Sequence, residues 1–388
     1  MKILYDYRIF DDQIFGGISN SFVQLISHLP ADVDYEIAVA ESNNVHLRNS
    51  GLMDIPPLLD PPEHFILHRK KSLKYQRSLY KRFSRIFPSK TSLGRNMLCS
   101  INALKRGDFD VFHPTYFYDY FLPYLNGKPF VLTVHDMVAE RYFRRNDFQV
   151  VKKRKLVEQA AHIITVSRHT KDDLMDMLHV PEERITVIYH GAPKPIVCDD
   201  EAPLVEGPYL LFVGHRISYK NFRPMVRSLV PVLQRHPGLR LVCTGHPFRP
   251  DEEKFLQSLG ITDRIIQMRP DDHGLANLYR HAVCFLFPSL YEGFGIPILE
   301  AWQANCPVLL NTASCFPEVA GDAAVFFHLN DTTDDLEDVV EDFFTWTPEK
   351  RQQLIARQQQ RLTCYDWQAS ANQLADVYRK VAEEHHCK

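Results

Sequence analysis

No two cysteines in this chain are spaced Cys-x-x-Cys. The eight (Cys99, Cys198, Cys243, Cys284, Cys306, Cys315, Cys364 and Cys387) are scattered over 388 residues, several inside apolar runs. They read as small core residues of a protein kept in a reducing compartment. Long hydrophobic runs are missing too, since nothing approaches the ~20 residues a spanning helix needs. The opening MKILYDYRIF reaches Asp6 and Arg8 before an apolar signal region can form. A cytoplasmic protein, soluble or lying on the inner membrane face, is the expectation.

Other absences narrow the chemistry. No Gly-x-Gly-x-x-Gly follows a strand and no Gly-x-x-x-x-Gly-Lys-[Ser/Thr] occurs, which removes most of the case for dinucleotide redox chemistry and P-loop phosphoryl transfer. No Asp-x-Asp pair at a strand end suggests a divalent ion. Asp271-Asp272 and Asp334-Asp335 read as helix-start acids, so neither a metal nor a cofactor is expected. A net charge of −3 gives no reason to expect a nucleic-acid partner, but acid is absent from His64 to Gly107 while a dozen Lys and Arg residues stand there. Aromatic and aliphatic residues interleave with those cations. Segment 64–107 therefore suits an anionic membrane surface or a lipid-diphosphate acceptor, with RNA conceivable, against the plain alternative of a solvated helical face.

What is present is an alternation of short β-branched and aromatic runs with amphipathic segments, the pattern of parallel strands joined by helices. Strands are expected near Lys2–Tyr7, Tyr35–Ala40, Val111–His113, Phe130–His135, His162–Val166 and Ile185–Tyr189. The pattern stops around Ala192–Pro208 and restarts with Tyr209–Val213, Leu239–Thr244, Ile265–Met268, Val283–Phe287, Pro307–Leu310 and Ala323–Phe327. The reading is a domain over 1–195, a linker over 196–207 and a second domain over 208–365. Each is a doubly wound α/β sheet, and ligand is expected at a cleft faced by the carboxyl ends of both.

Four constellations carry chemistry. Pro288 to Glu300 (PSLYEGFGIPILE) is a strand end and a glycine-flanked turn opening a helix. Gly293 and Gly295 admit a ligand close to the backbone, the helix N-terminus favours an anion, and Glu292 and Glu300 can accept hydrogen bonds from vicinal hydroxyls. Phe212 to Asn221 (FVGHRISYKN) offers Arg216 and Lys220 to a departing diphosphate, although both also suit solvated surface charge. His135 ends the FVLTVHD strand, where an imidazole can meet a sugar hydroxyl or a forming charge, with Asp136 available to fix the loop. Gly16-Gly17 stands between the first strand and the first helix, where phosphate can approach.

Those residues, in this order, resemble a retaining glycosyltransferase of family 4, a group with the GT-B fold of two Rossmann-like domains. The likeness is densest from Tyr209 to Phe327, in FVGHRISYKN, EGFGIPILEA and SCFPEVAGDAA; TVHD, ITVSRHTKDDL and IYHGA follow the family order in the first half. The resemblance implies that Arg216 and Lys220 hold the donor diphosphate, that Glu300 binds the nucleotide ribose, and that Glu292 with the backbone of Gly293, Phe294 and Gly295 contacts the donor sugar. Gly214 and Ile296 complete that donor set, Gly16 and Gly17 lie by the phosphates, His135 lies by the reacting sugar, and Glu318 is a structural support or a peripheral contact. A final helix from 366 to 388 would complete the first domain. Two departures stand out: Tyr219 precedes Lys220 where many members carry Arg, and His190-Gly191 replaces Asn-Gly.

The implied activity is metal-independent transfer of a hexose, from GDP-mannose first or a UDP-sugar second, to a glycan or lipid-linked oligosaccharide in surface polysaccharide synthesis. Retention favours a same-face route with the leaving phosphate as base. A nucleotide-sugar isomerase or epimerase on the same fold, or a non-catalytic nucleotide-sugar binder, are the alternatives.

Overall fold

A computed structural model describes residues 1–60, 73–196 and 201–387. Part of the 64–107 segment and part of the expected 196–207 linker lie outside the described residues. The chain divides into two units. Unit 1 comprises Met1–Val166, Thr170–Tyr189 and Trp367–Lys388; unit 2 comprises Ser167–His169 and His190–Asp366.

Unit 1 is built on β1 (Lys2–Asp6), β2 (Asp34–Ala38), β3 (Val111–His113), β4 (Val131–Val134), β5 (His162–Thr165) and β6 (Ile185–Val187). Two parallel three-stranded ladders, β2-β1-β3 and β4-β5-β6, are joined by a single parallel bridge from Phe112 to Phe130. Helices cover both faces, so the strands read as nearly unbroken apolar runs. Register is fixed by pairs such as Ile3 with Val111 and Val131 with His162. Strand ends fall short of the sequence expectation where a partner runs out. β6 lasts only as long as Ile163–Thr165 can pair with it, and β4 stops at Val134, which leaves His135 just beyond the ladder.

The helix Trp367–His386 belongs to this unit. Trp367, Ala371, Leu374, Tyr378 and Val381 recur at helical spacing and are buried in one core with Phe22 and Ile26 of the helix Gly17–Ser27. Polar contacts pin it as well. Tyr378 Oη lies 2.8 Å from Tyr5 Oη and 2.6 Å from His113 Nδ1, and His113 Nε2 reaches Thr133 Oγ1 at 2.9 Å.

Unit 2 carries β7 (Tyr209–Phe212), β8 (Arg240–Thr244), β9 (Ile265–Met268), β10 (Cys284–Phe287), β11 (Val308–Asn311) and β12 (Val325–Phe327). They form one parallel sheet in the order β12-β11-β10-β7-β8-β9. Its strand order reverses between β7 and β10, and in doubly wound sheets the loops leaving the two strands at that reversal splay apart and make a crevice. Cys243, Cys284, Cys306 and Cys315 are buried here as core thiols.

Candidate functional site

The two loops at the reversal in unit 2 hold the sequence's densest motifs. After β7 the chain passes Gly214, whose φ of +120° excludes a side chain, and a short 3-10 turn over Ser218–Lys220. Asn221, in a left-handed conformation, then opens the helix Phe222–Arg235 while its Nδ2 donates to Leu329 O at 2.8 Å. After β10 the chain turns through Glu292 and Gly293 to Gly295, whose φ of +94° starts the helix Ile296–Gln303. The loops are stitched together: Leu290 N donates to Tyr219 O at 2.8 Å, and Lys220 Nζ donates to Glu292 Oε1 at 2.5 Å. Both side chains of that ion pair are only partly exposed, at 19% and 14%.

The turn itself is rigid. Ser314 Oγ receives the Glu292 amide at 3.1 Å and donates back to the Glu292 carbonyl at 2.7 Å; Cys315 Sγ donates to the carbonyls of Glu292 and Phe294. The Phe294 ring is buried edge-on against His190 and Tyr365, and of Gly293, Phe294 and Gly295 only Gly293 keeps partial exposure. This contact also explains His190: it is a core ring, 5.1 Å from the Phe294 centroid. Ile296 is the first helical residue, partly exposed at the end where amide N–H groups stand free of intrahelical partners.

Glu300 lies a little over one turn along this helix. Burial pushes its carboxyl up to about 7, partly opposed by the hydroxyl of Tyr279, which donates to Oε2 at 3.3 Å. Tyr279 rides on the helix Asp272–His281, whose N-terminal end borders a hollow of about 470 Å³ at the carboxyl end of β9. Gln267, Arg269, Pro270 and Gly274 line it.

Arg216 departs from the sequence reading. Its guanidinium is buried against Glu252 (3.2 and 3.4 Å), donates to the carbonyls of His246 (2.6 Å) and Pro247 (3.1 Å), and lies over the Phe248 ring. With its charge matched by Glu252 and its Nε and Nη2 engaged, it fastens the loop after β8. Lys220 is left as the cation that faces Glu292. The sequence reading passed over His215, which stacks at 5.6 Å on His246; burial, then His246, Lys220 and Arg216, hold its imidazole below the ordinary histidine range. Its only signal was its place in the motif. Glu318 accepts the amides of Arg168 (2.7 Å) and His169 (3.1 Å), a backbone-fastening contact.

In unit 1, Gly16 has an extended backbone, but a Cβ there would clash with Gln13 Oε1, which accepts the Ser19 amide as a local cap. Gly17 is exposed at the start of the helix. His135 is buried with its ring edge-on to Phe22, and burial, followed by the charge of Lys153, pushes its pKa down to about 4. The imidazole is neutral at neutral pH. Asp136 Oδ1 accepts the Val138 amide at 3.0 Å, which turns the loop.

Lys153 gave no signal in the sequence, because it sits in the run Lys152-Lys-Arg-Lys155 that reads as surface charge. Its side chain is 1% exposed, and Nζ donates to the Asp136 carbonyl at 2.8 Å and to Glu140 Oε2 at 2.7 Å. It thereby fixes the Asp136–Met137 peptide, one residue beyond His135. Among the described residues no group of three His, Cys, Asp or Glu side chains could hold a metal ion, and no helix is long and apolar enough to cross a membrane.

Comparison with known proteins follows the same division. A family model described as "Glycosyltransferase Family 4" matches residues 15–193, and one described as "Glycosyl transferases group 1" matches 199–361. The O-antigen chain mannosyltransferase RfbU of Salmonella typhimurium is 28% identical over 215 residues, covering 54% of this chain and 59% of that protein. The O-antigen chain mannosyltransferase B of Escherichia coli is 27% identical over 237 residues, covering 55% and 60%. The matches thus span about three fifths of those relatives. Among solved structures, Alr3699/HepE of Anabaena in complex with UDP and glucose superposes with a TM-score of 0.68 at 14% identity, covering 98% of this chain and 100% of that one. Sucrose-phosphate synthase of Thermosynechococcus elongatus superposes at 0.65 with 16% identity, covering 98% of each chain. Both likenesses are of fold.

Proposed function

Because the chain belongs to the glycosyltransferases, with a family 4 domain and a group 1 domain in series on the GT-B fold, we propose that it moves a hexose from a nucleoside diphosphate sugar to a glycan or lipid-linked acceptor, with retention and without a metal ion. The observation that carries this reading is the Lys220–Glu292 pair at the strand-order reversal, set against the amide end of the helix Ile296–Gln303. A donor diphosphate bound there meets one cation and one helix end, both preorganised. Glu300 takes the ribose hydroxyls, the 470 Å³ hollow beyond Tyr279 takes the base, and the backbone of Gly293 to Gly295 fronts the sugar. GDP-mannose is the first donor, in keeping with the mannosyltransferases among the relatives; a UDP-sugar is the second.

In the transfer, the bond between the anomeric carbon and the diphosphate oxygen breaks as the acceptor oxygen bonds to that carbon on the same face. The acceptor's proton passes to the departing phosphate oxygen, and Lys220 offsets the charge that accumulates there. For the reacting sugar this reading keeps His135, whose imidazole is buried and neutral. Membrane contact through 64–107 is part of the same reading: Lys81, Arg82 and Arg85 are exposed on the helix Leu73–Ile86, with Ile86 and Phe87 exposed at its end.

A thermal-shift series with GDP-mannose, UDP-glucose, UDP-galactose, UDP-N-acetylglucosamine and the free nucleotides tests the donor assignment, because a ligand selective for the fold raises its melting temperature. Stabilisation by one nucleotide class, with nucleotide release in the presence of acceptor, is the expected result. Stabilisation without release leaves a binder, and no response to any nucleotide sinks the reading.

A further inference from the structure

The segment Arg141 to Lys155 (RYFRRNDFQVVKKRK) holds seven cationic residues and one acid, Asp147. It runs from the end of the helix Val138–Tyr142 into the helix Phe148–Gln159. Asp147 is spent on capping that second helix, accepting the Gln149 amide at 2.8 Å. Four of the cations are spent as well: Arg141 on Asp173, Lys152 and Lys155 on Asp119, and Lys153 on Glu140. Arg144, Arg145 and Arg154 are exposed and make no ion pair among the described residues.

Beside these free guanidinium groups stand Tyr142, Phe143, Phe148 and Val151, which are 39%, 46%, 50% and 50% exposed. Four large apolar side chains showing that much surface within ten residues mark an interaction surface rather than scattered exposure. A hollow of about 620 Å³ opens in the same place, lined by Arg145, Val150, Val151 and Arg154 and, from the helix Arg168–Leu178, by Met177 and Leu178. Its two acids are Glu140, already paired with Lys153, and the exposed Glu158.

We propose that this face of unit 1 docks on an anionic lipid bilayer, with Arg144, Arg145 and Arg154 among the phosphate head groups and Phe143, Phe148 and Val151 at the acyl boundary. Charge complementarity selects the anionic surface, and the apolar lining selects lipid over nucleic acid. Phosphates of an RNA would engage the arginines, but they would leave Val151, Met177 and Leu178 in water. Cations near such a membrane act additively and are screened by salt, while the inserted aromatic rings resist salt. This surface is separate in sequence from 64–107, and the inference does not depend on glycosyl transfer.

Co-sedimentation of the full chain with phosphatidylcholine vesicles, with and without phosphatidylglycerol, tests it. Wild type should partition onto the anionic vesicles alone. R144S/R145S/R154S should lower that partition about a hundredfold, and F143S/F148S should remove the part that survives high salt. All five side chains are exposed, so unchanged melting temperatures will show that both variants fold. R82S/R85S, on the helix Leu73–Ile86, separates the two surfaces. Wild-type partition by the triple arginine variant, equal binding to neutral vesicles, or loss of binding in R82S/R85S alone would overturn the proposal; so would RNA displacing the protein from vesicles.

Discussion

Lys220 Nζ lies 2.5 Å from Glu292 Oε1, a contact between side chains 72 residues apart that ties the loop after β7 to the loop after β10. In the ligand-free protein each group neutralises the other, so a diphosphate arriving at Lys220 competes with Glu292, and Glu292 released from the pair is free to accept a sugar hydroxyl. K220A and E292A should each lower turnover about tenfold or more with the fold retained. Because the two act through one contact, the double variant should lose less than the product of the single losses, a coupling of ~1–3 kcal/mol. Steady-state kinetics of the four proteins measure it; strictly multiplicative losses would show that the pair does not work as a unit.

Glu300 gives the site a pH dependence. Its folded pKa, about 7, is above the ordinary value of 4.5, so the ligand-free fold holds a proton there that the unfolded chain has lost. That contribution to stability is complete below the ordinary value and declines as pH rises through about 7. Donor binding runs the other way, because only the carboxylate accepts two hydroxyls. Affinity for the nucleotide should therefore fall below neutral pH, by up to about tenfold per unit. Y279F removes the hydroxyl that favours the carboxylate and should move the midpoint upward; E300Q should bind weakly with no pH dependence. Calorimetric titration across pH 5.5 to 8.5 (roughly the span of the transition) provides the check.

How far the sequence reached depended on whether the deciding interaction was local. β9 was legible at both ends because Ile265–Met268 is a short apolar run closed by proline and aspartate. Both ends of β4 and the C-terminal end of β6 were not, since a ladder stops where its neighbour stops and that neighbour is remote in sequence. Lys220 and Arg216 looked alike in the motif. What separates them is Glu252, 36 residues beyond Arg216, which claims one guanidinium and leaves the other cation to Glu292. Lys153 was hidden in a basic run because only tertiary packing buries one cation of four.

That division makes Arg216 a test in its own right. Its partner Glu252 is 3% exposed at the side chain, and truncating one member of a buried pair leaves the other charge uncompensated, at a cost of ~3–5 kcal/mol. R216A should lower the melting temperature markedly while leaving nucleotide affinity within about threefold of wild type at temperatures where it stays folded. R216M/E252Q, which removes both charges, should recover much of the stability. A large loss of affinity in that stable double variant would return Arg216 to the donor diphosphate.

Lys153 acts on His135 in two ways that pH can separate. Through the Asp136 carbonyl it holds the Asp136–Met137 peptide, one residue past the imidazole, and through its charge it helps keep that imidazole neutral. A histidine whose folded pKa is depressed adds stability above its ordinary value of 6.5, and loses it as pH falls toward about 4. K153M alone strands Glu140 in the core and should destabilise by ~3–5 kcal/mol. K153M/E140Q keeps the site uncharged and should recover most of that loss. In the double variant burial still depresses His135, but without the cation its pKa should rise part of the way toward 6.5. At saturating donor, where the effect of Glu300 on affinity drops out, wild-type turnover should stay flat on the acid side to about pH 5, and that of the double variant should begin to fall at a higher pH. A purely structural lysine would lower turnover by the same factor at every pH, so the shape of the pH–rate profile, rather than its height, decides whether Lys153 tunes the imidazole.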